Sequence, residues 1–191
     1  MNLIGEHRIA ASRLRVWQSL NDASLLARLI PGCESLARWE DGATCGFEGT
    51  LRQHIGPLTA QITGKSTMLE RVPPARFTLS GTGNAGDAGS VRGDVEITLD
   101  DLDTDVTLLR YTGAFTLAGK LAQLDGWLIE QTGQVFAETF CARLSKLLSH
   151  PIEMEGSPVM PLRHDQGLAP RLWVPGFIAA TLLLVVVAAL L

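Results

Sequence analysis

The chain has 191 residues, a formal net charge of −4 and 46% hydrophobic residues. Residues 1–150 contain 14 of the 16 basic and 17 of the 20 acidic side chains, so their charge is mixed and slightly negative. Because nucleic-acid binding needs a basic surface that neutralises phosphates, we expect no nucleic-acid partner. The three cysteines, Cys33, Cys45 and Cys141, lack the spacing of a zinc site or disulfide framework, and we expect buried thiols in a reducing compartment.

The first thirty residues predict a strand and two short helices. Residues 3–10 favour a strand, and a helix follows over 12–20 with Ser12 as its cap. A second helix, Ala23–Leu29, is predicted to begin at the cap residue Asp22 and to end at Pro31-Gly32. No basic region followed by an apolar stretch opens the sequence, so we expect a cytoplasmic domain.

Four consecutive segments between residues 45 and 99 alternate apolar and polar side chains with a period of two, which predicts strands with one buried face. Gly56-Pro57 marks a hairpin between the first two, and a further strand is predicted over 105–117. The result is an antiparallel meander whose apolar face needs a cover. That face includes Cys45, Phe47, Gly49, Leu51, Ile55, Leu58, Ala60, Ile62, Gly64, Met68, Phe77, Leu79, Gly81, Val91, Gly93, Val95, Ile97 and Leu99.

The predicted cover is one long helix over 119–148, about 45 Å in length. Its apolar residues recur at helical spacing: Leu121, Leu124, Leu128, Val135, Phe136, Phe140, Leu144 and Leu147. The sheet face beneath it is rich in small residues, Gly49, Gly64 and Gly93 among them. Small residues favour an apolar cavity, close approach of the helix, or strong sheet bending, and all three alternatives remain open.

The C-terminal part predicts a linker and a membrane anchor. Residues 150–172 contain four prolines and no periodicity, so we expect a flexible linker with a reach of roughly 25–30 Å. Residues 173–191 carry no charge and would form a helix of about 28 Å, which matches a hydrocarbon core of about 30 Å. Arg163 and Arg171 precede this segment, which favours an N-terminal domain on the cytoplasmic side of the inner membrane.

The order of elements and several short motifs resemble the G-subunit family of carbon monoxide dehydrogenase, within the START-like (SRPBCC) superfamily. The residues that carry the resemblance are Gly5-Glu6, Val16-Trp17, Leu20-Asn21-Asp22, Ile30-Pro31-Gly32-Cys33 and Gly119-Lys120-Leu121-Ala122-Gln123-Leu124. Asp125-Gly126-Trp127 stands where the family usually continues with Gly and a basic residue. The resemblance covers about residues 2–148.

The resemblance implies an α+β helix-grip fold, an antiparallel curved sheet around a long C-terminal helix, to which this chain adds one C-terminal transmembrane helix. It implies an accessory protein that recruits a molybdenum hydroxylase of the carbon monoxide dehydrogenase type to the cytoplasmic membrane. It also implies a cavity for an apolar ligand such as a quinone. We expect residues 1–149 to form this domain, with the cavity lined by Phe47, Gly49, Leu51, Ile62, Gly64, Phe77, Leu79, Val91, Val95, Leu124, Leu128 and Phe136.

Two other functions remain open. Some START-like proteins are cyclases or dehydratases, and that function needs polar acid–base pairs inside the cavity, with His7 as a candidate base. Alternatively, the domain is a tether whose cavity has collapsed. No catalytic or metal-binding residue is predicted: Gly81-Thr82-Gly83-Asn84-Ala85-Gly86 precedes a strand, unlike a dinucleotide-binding loop, and Asp101, Asp103 and Asp105 predict a solvated turn.

Overall fold

A computed structural model describes residues 2–149. The predicted linker at 150–172 and the predicted transmembrane helix at 173–191 lie outside the described residues. None of the helices within 2–149 has the length and apolar character needed to cross a membrane.

Seven antiparallel strands form one curved sheet in the order β1-β7-β6-β5-β4-β3-β2, and three α-helices accompany it. Short 3-10 turns occur at Gly86–Ala88 and Leu121–Gln123. The elements are β1 Asn2–Ile9, α1 Arg13–Ser19, α2 Ala23–Leu29, β2 Cys33–Asp41, β3 Thr44–Ile55, β4 Leu58–Val72, β5 Arg76–Asn84, β6 Ser90–Asp103, β7 Val106–Ala118 and α3 Gly126–Ser149.

The period-two pattern predicted six of these strands correctly, because their side chains alternate between a buried and a solvent-facing side. In β3, for example, Phe47 and Leu51 are fully buried while Arg52 and His54 are exposed. The hairpin at Gly56-Pro57 is confirmed, since Ile55 pairs with Leu58 across it. The pattern missed β2, an edge strand in which most side chains are half-buried and no alternation marks the buried face.

The two short helices lie where they were predicted, but only one has a side-chain cap. The Asp22 carboxylate accepts hydrogen bonds from the backbone N–H groups of Ser24 and Leu25, at 2.9 and 3.1 Å. Ser12 occupies the cap position of α1 without a side-chain hydrogen bond, so the predicted Ser12 cap is wrong. α1 therefore depends on packing, with Val16 and Trp17 buried against the sheet.

The C-terminal helix is shorter than predicted. It begins at Gly126, not at 119, and its 24 residues span about 36 Å. Gly119 has a φ of +73° and Leu124 is extended, so the chain turns twice before the helix begins. The Asp125 carboxylate then accepts a hydrogen bond from Trp127 N at 2.8 Å, which fixes the helix start. Val135, predicted to face the sheet, is 60% exposed because it lies outside the buried stripe of α3.

One aromatic ring explains part of the small-residue surface on the inner face of the sheet. Gly93 on β6 pairs with Phe115 on β7, and a Cβ added at Gly93 would overlap the Phe115 ring. A Cβ added at Gly113 would meet the same ring. These two glycines therefore make room for a core side chain, an outcome that the open alternatives did not include.

Candidate ligand-binding cavity

An apolar cavity of about 70 Å³ lies between the sheet, the C-terminal helix and the α1–α2 segment. Twelve of its fourteen lining residues are buried, and only Ile97 and Phe140 are partly exposed. The lining comprises Leu3, Leu20, Leu26, Ile30, Phe77, Leu79, Val95, Ile97, Leu109, Tyr111, Phe136, Ala137, Phe140 and Cys141.

Three parts of the chain meet at this cavity. The strands contribute alternate residues from their buried face, as Phe77 and Leu79 on β5 illustrate. α3 contributes residues spaced three and four apart, which lie on one side of a helix. The α1–α2 segment adds Leu20, Leu26 and Ile30, and α1 is fixed over the sheet by an edge-to-face contact between Trp17 and Phe77, with ring centroids 5.3 Å apart.

Tyr111 supplies the phenolic hydroxyl of the lining. Gly5 on β1 pairs with Tyr111, and a Cβ at Gly5 would overlap the Tyr111 hydroxyl, so only glycine leaves space for the ring there. Burial raises the pKa of Tyr111 to about 12, with smaller contributions from Cys141 and Glu138 and an opposing hydrogen bond with the Gln134 side chain. The phenol is therefore neutral at physiological pH and retains its proton for donation to an acceptor oxygen.

Cys141 is the second lining residue with a side-chain group that titrates. Burial raises the pKa of its thiol to about 12, and the nearby Glu138 carboxylate adds to the shift. The thiolate is the nucleophilic form of cysteine, so Cys141 behaves here as a small apolar side chain. Tyr111 and Cys141 both keep their protons at neutral pH, and the lining thus lacks the base that a proton-transfer reaction needs.

Four of the twelve residues predicted for the cavity line it: Phe77, Leu79, Val95 and Phe136. The other eight lie elsewhere in the fold. Phe47, Gly49, Leu51, Ile62 and Val91 are buried outside this lining, and Gly64, Leu124 and Leu128 are half-buried. Leu128 lies against the β3–β4 turn, where its side chain is next to Gly56.

Ten lining residues were not predicted as such. Ala137, Phe140 and Cys141 have the same helical spacing as Phe136, and that spacing was the available signal for them. Leu20, Leu26 and Ile30 carried no equivalent signal, because their place over the sheet depends on how α1 and α2 pack.

The cavity is small for a ligand site. Pockets that hold cofactor-sized molecules usually measure roughly 300–1,000 Å³. A volume of about 70 Å³ exceeds the roughly 30 Å³ that one water occupies in the liquid, but a ring-sized ligand needs the cavity to expand. The partly exposed Phe140 and Ile97 are the lining residues that can move with least loss of buried contact.

The other signals from the sequence have structural explanations. The glycine-rich segment ends β5 and leads through the turn Gly86–Ala88 into β6, which confirms a connection between strands. The acidic residues Asp101, Asp103 and Asp105 are exposed at the β6–β7 turn. Within residues 2–149, no group of three His, Cys, Asp or Glu side chains is arranged to hold a metal ion.

Comparisons with known proteins agree with this architecture. The family model of the carbon monoxide dehydrogenase G subunit (CoxG) matches residues 5–149. A conserved protein from Geobacillus kaustophilus superposes with a TM-score of 0.69 at 22% identity, covering 78% of this chain and 95% of its own. No curated protein matches the sequence at a significant level.

Two further solved structures have names that describe their class. A START superfamily protein from Mycobacterium smegmatis has a TM-score of 0.58 at 14% identity, covering 77% of this chain and 96% of its own. An aromatase/cyclase from Streptomyces has a TM-score of 0.58 at 16% identity, covering 78% and 93%. At these identities the likeness shows a START-like fold and nothing about activity.

Proposed function

Because the chain belongs to the CoxG family of carbon monoxide dehydrogenase, we propose that it is a non-catalytic, membrane-anchored accessory protein that binds a quinone-type ligand and recruits a molybdenum hydroxylase. The observation that carries the ligand-binding part is the apolar cavity, whose lining includes one neutral phenol. Such a lining suits a molecule that is apolar over most of its surface and has a carbonyl oxygen as hydrogen-bond acceptor.

The affinity for such a ligand would come from burial of apolar area, at about 25 cal/mol per Å² before the costs of ordering. Tyr111 would orient the ligand by donating its hydroxyl proton to one quinone oxygen. The small volume requires that Phe140 or Ile97 move when the ring enters. A binding site that opens only for its ligand also keeps water out of the core when it is empty.

Membrane anchoring is proposed from residues 173–191 and places the domain beside the lipid in which prenyl quinones dissolve. A linker of 23 residues, 150–172, lets the domain take up a ligand at the bilayer surface and present it to a water-soluble enzyme. The description of the family as part of a dehydrogenase supports a partner of that class.

The cyclase alternative has less support from the site. One structural neighbour is an aromatase/cyclase, and the two proteins share the fold. Catalysis of that kind needs an acid and a base within reach of the substrate. His7 lies half-buried on the inner side of β1 but is not among the residues that line this cavity.

Ligand binding is tested by tryptophan quenching in the full chain, purified in detergent and titrated with a short-chain ubiquinone analogue. Trp17 contacts the cavity-lining Phe77, so a quinone in the cavity should quench Trp17 fluorescence in a saturable way. Trp17→Phe should remove most of the saturable signal, and Trp127→Phe, at a position 68% exposed, should retain it. Quenching that stays linear, or that persists without Trp17, would contradict binding in this cavity.

Recruitment is tested by deleting residues 173–191 and measuring where the hydroxylase fractionates in cells. We expect the hydroxylase to shift from the membrane fraction to the soluble fraction together with the truncated chain. A hydroxylase that stays membrane-bound beside a soluble truncated chain would contradict the proposed recruitment.

A further inference from the structure

A groove between α2 and the last turns of α3 combines cations with an apolar floor. Its lining residues are Arg28, Arg143 and Lys146 together with Leu25, Leu29 and Leu147. All three cations are exposed, and none of the groove residues is acidic. Residues 2–149 contain 14 basic and 17 acidic side chains, so this groove is a local reversal of the domain's overall charge.

The sequence around the groove keeps it basic. α2 contains no acidic residue, and none follows Glu138 in α3. Arg143 also has a structural part, because its guanidinium donates a hydrogen bond to the Leu29 carbonyl at 3.1 Å and so caps α2. Single cations near helix C-termini are common because they complement the helix dipole. Helix-dipole stabilisation does not require that the two helices place their cations in one groove with three leucines.

The position of the groove along the chain indicates what it faces. Lys146 and Leu147 lie within three residues of Ser149, where the described part of the chain ends. Residues 150–191 continue from that point and include the uncharged segment 173–191. If that segment enters a bilayer, as the proposed function states, the groove belongs to the part of the domain that the chain holds nearest to the lipid.

We propose that this groove docks on the anionic phospholipid surface of the cytoplasmic leaflet, with Arg28, Arg143 and Lys146 against lipid phosphates and the leucines against the headgroup–acyl boundary. The proposal rests on the membrane anchor of the proposed function and adds an orientation to it. Juxtamembrane cations are attracted to anionic leaflets, and each contributes a factor of about five to the docked population. Docking would give the tethered domain one preferred face toward the bilayer.

The test uses the full chain in lipid nanodiscs and measures hydrogen–deuterium exchange. In discs that contain phosphatidylglycerol, peptides covering 24–30 and 142–149 should be protected relative to discs of phosphatidylcholine alone. High salt should remove the difference, because it screens exposed charges. The variant Arg28→Gln/Lys146→Gln should lower the docked-to-undocked ratio by about 25-fold, five-fold for each cation. Arg143 is left unchanged because it caps α2.

The matched control is Arg92→Gln/Lys120→Gln, which removes the same charge from exposed positions outside the groove. It should keep the protection, which separates docking from a general charge effect. Equal exchange in both kinds of disc would overturn the proposal while leaving the anchor intact. Protection that is also present in detergent and is lost in Glu153→Gln/Glu155→Gln would overturn it in favour of the linker occupying the groove. A chain that does not enter discs at all would refute the anchor itself and, with it, this orientation.

Discussion

Ala137→Leu tests whether the cavity is a ligand site, because filling it should stabilise the empty protein and abolish binding. Ala137 lies on α3, is buried and lines the cavity. At about 24 cal/mol per Å³, removing a cavity of about 70 Å³ is worth at most about 1.7 kcal/mol of unfolding free energy. We expect a gain below that limit, since a leucine side chain does not match the cavity shape fully and overpacking opposes the gain.

The assay combines urea unfolding of the ligand-free full chain in detergent with quinone quenching of Trp17. Ala142→Leu is the matched control, because Ala142 is exposed on the same helix and should change neither stability nor quenching by much. The expected result for Ala137→Leu is higher stability with loss of saturable quenching. Unchanged quinone affinity in a well-folded Ala137→Leu protein would refute the assignment of this cavity as the ligand site.

Three further predictions concern titration, thiol reactivity and helix capping. Tyr111 is the only tyrosine, and its pKa is raised to about 12, so ultraviolet titration should show no phenolate near pH 10 in the folded protein; stability should fall as the pH rises from about 10 toward 12, and titration near pH 10 would contradict its burial. Alkylation followed by mass spectrometry should modify the half-exposed Cys33 before Cys141, and the reverse order would show that α3 opens readily. Asp22→Ala should cost about 1 kcal/mol in urea unfolding while Ser12→Ala changes little, and equal effects would contradict the observed difference in capping.

Residue periodicity predicted most of the sheet because each of those strands has one buried and one solvent-facing side. β2 escaped detection since an edge strand with most of its side chains half-buried leaves no alternation in the sequence. The start of α3 was placed seven residues too early for a local reason: Leu121 and Leu124 fit the helical spacing, but Gly119 and the Asp125 cap set the actual boundary. Helix ends depend on such single residues more than on the apolar pattern.

The cavity was harder to predict than the fold. Alternation identifies which face of a strand is buried, and Phe47 and Phe77 share that face. It does not say which part of the face lies opposite a gap, because that depends on where α1, α2 and α3 cross the sheet. Phe77 borders the cavity while Phe47 is solid core. Gly93 shows the same limit, since the Phe115 ring that fills the space above it comes from the neighbouring strand.

Different surfaces of the domain have different tasks in the proposed function. The cavity between α3 and the sheet takes up the apolar ligand, and the basic groove at the end of α3 orients the domain on the bilayer. The two sites share α3, with Phe136, Ala137, Phe140 and Cys141 in the cavity and Arg143, Lys146 and Leu147 in the groove. Docking of the groove would therefore hold the helix that borders the cavity close to the lipid.

Solvent extraction of the full chain, purified from its native membranes in detergent, tests the central claim most directly. Mass spectrometry of the extract should find a prenyl quinone at about one molecule per chain for the unmodified protein. A well-folded protein that carries no quinone or other apolar lipid, and that takes none up when it is added, would contradict the claim that this cavity binds a membrane-soluble ligand.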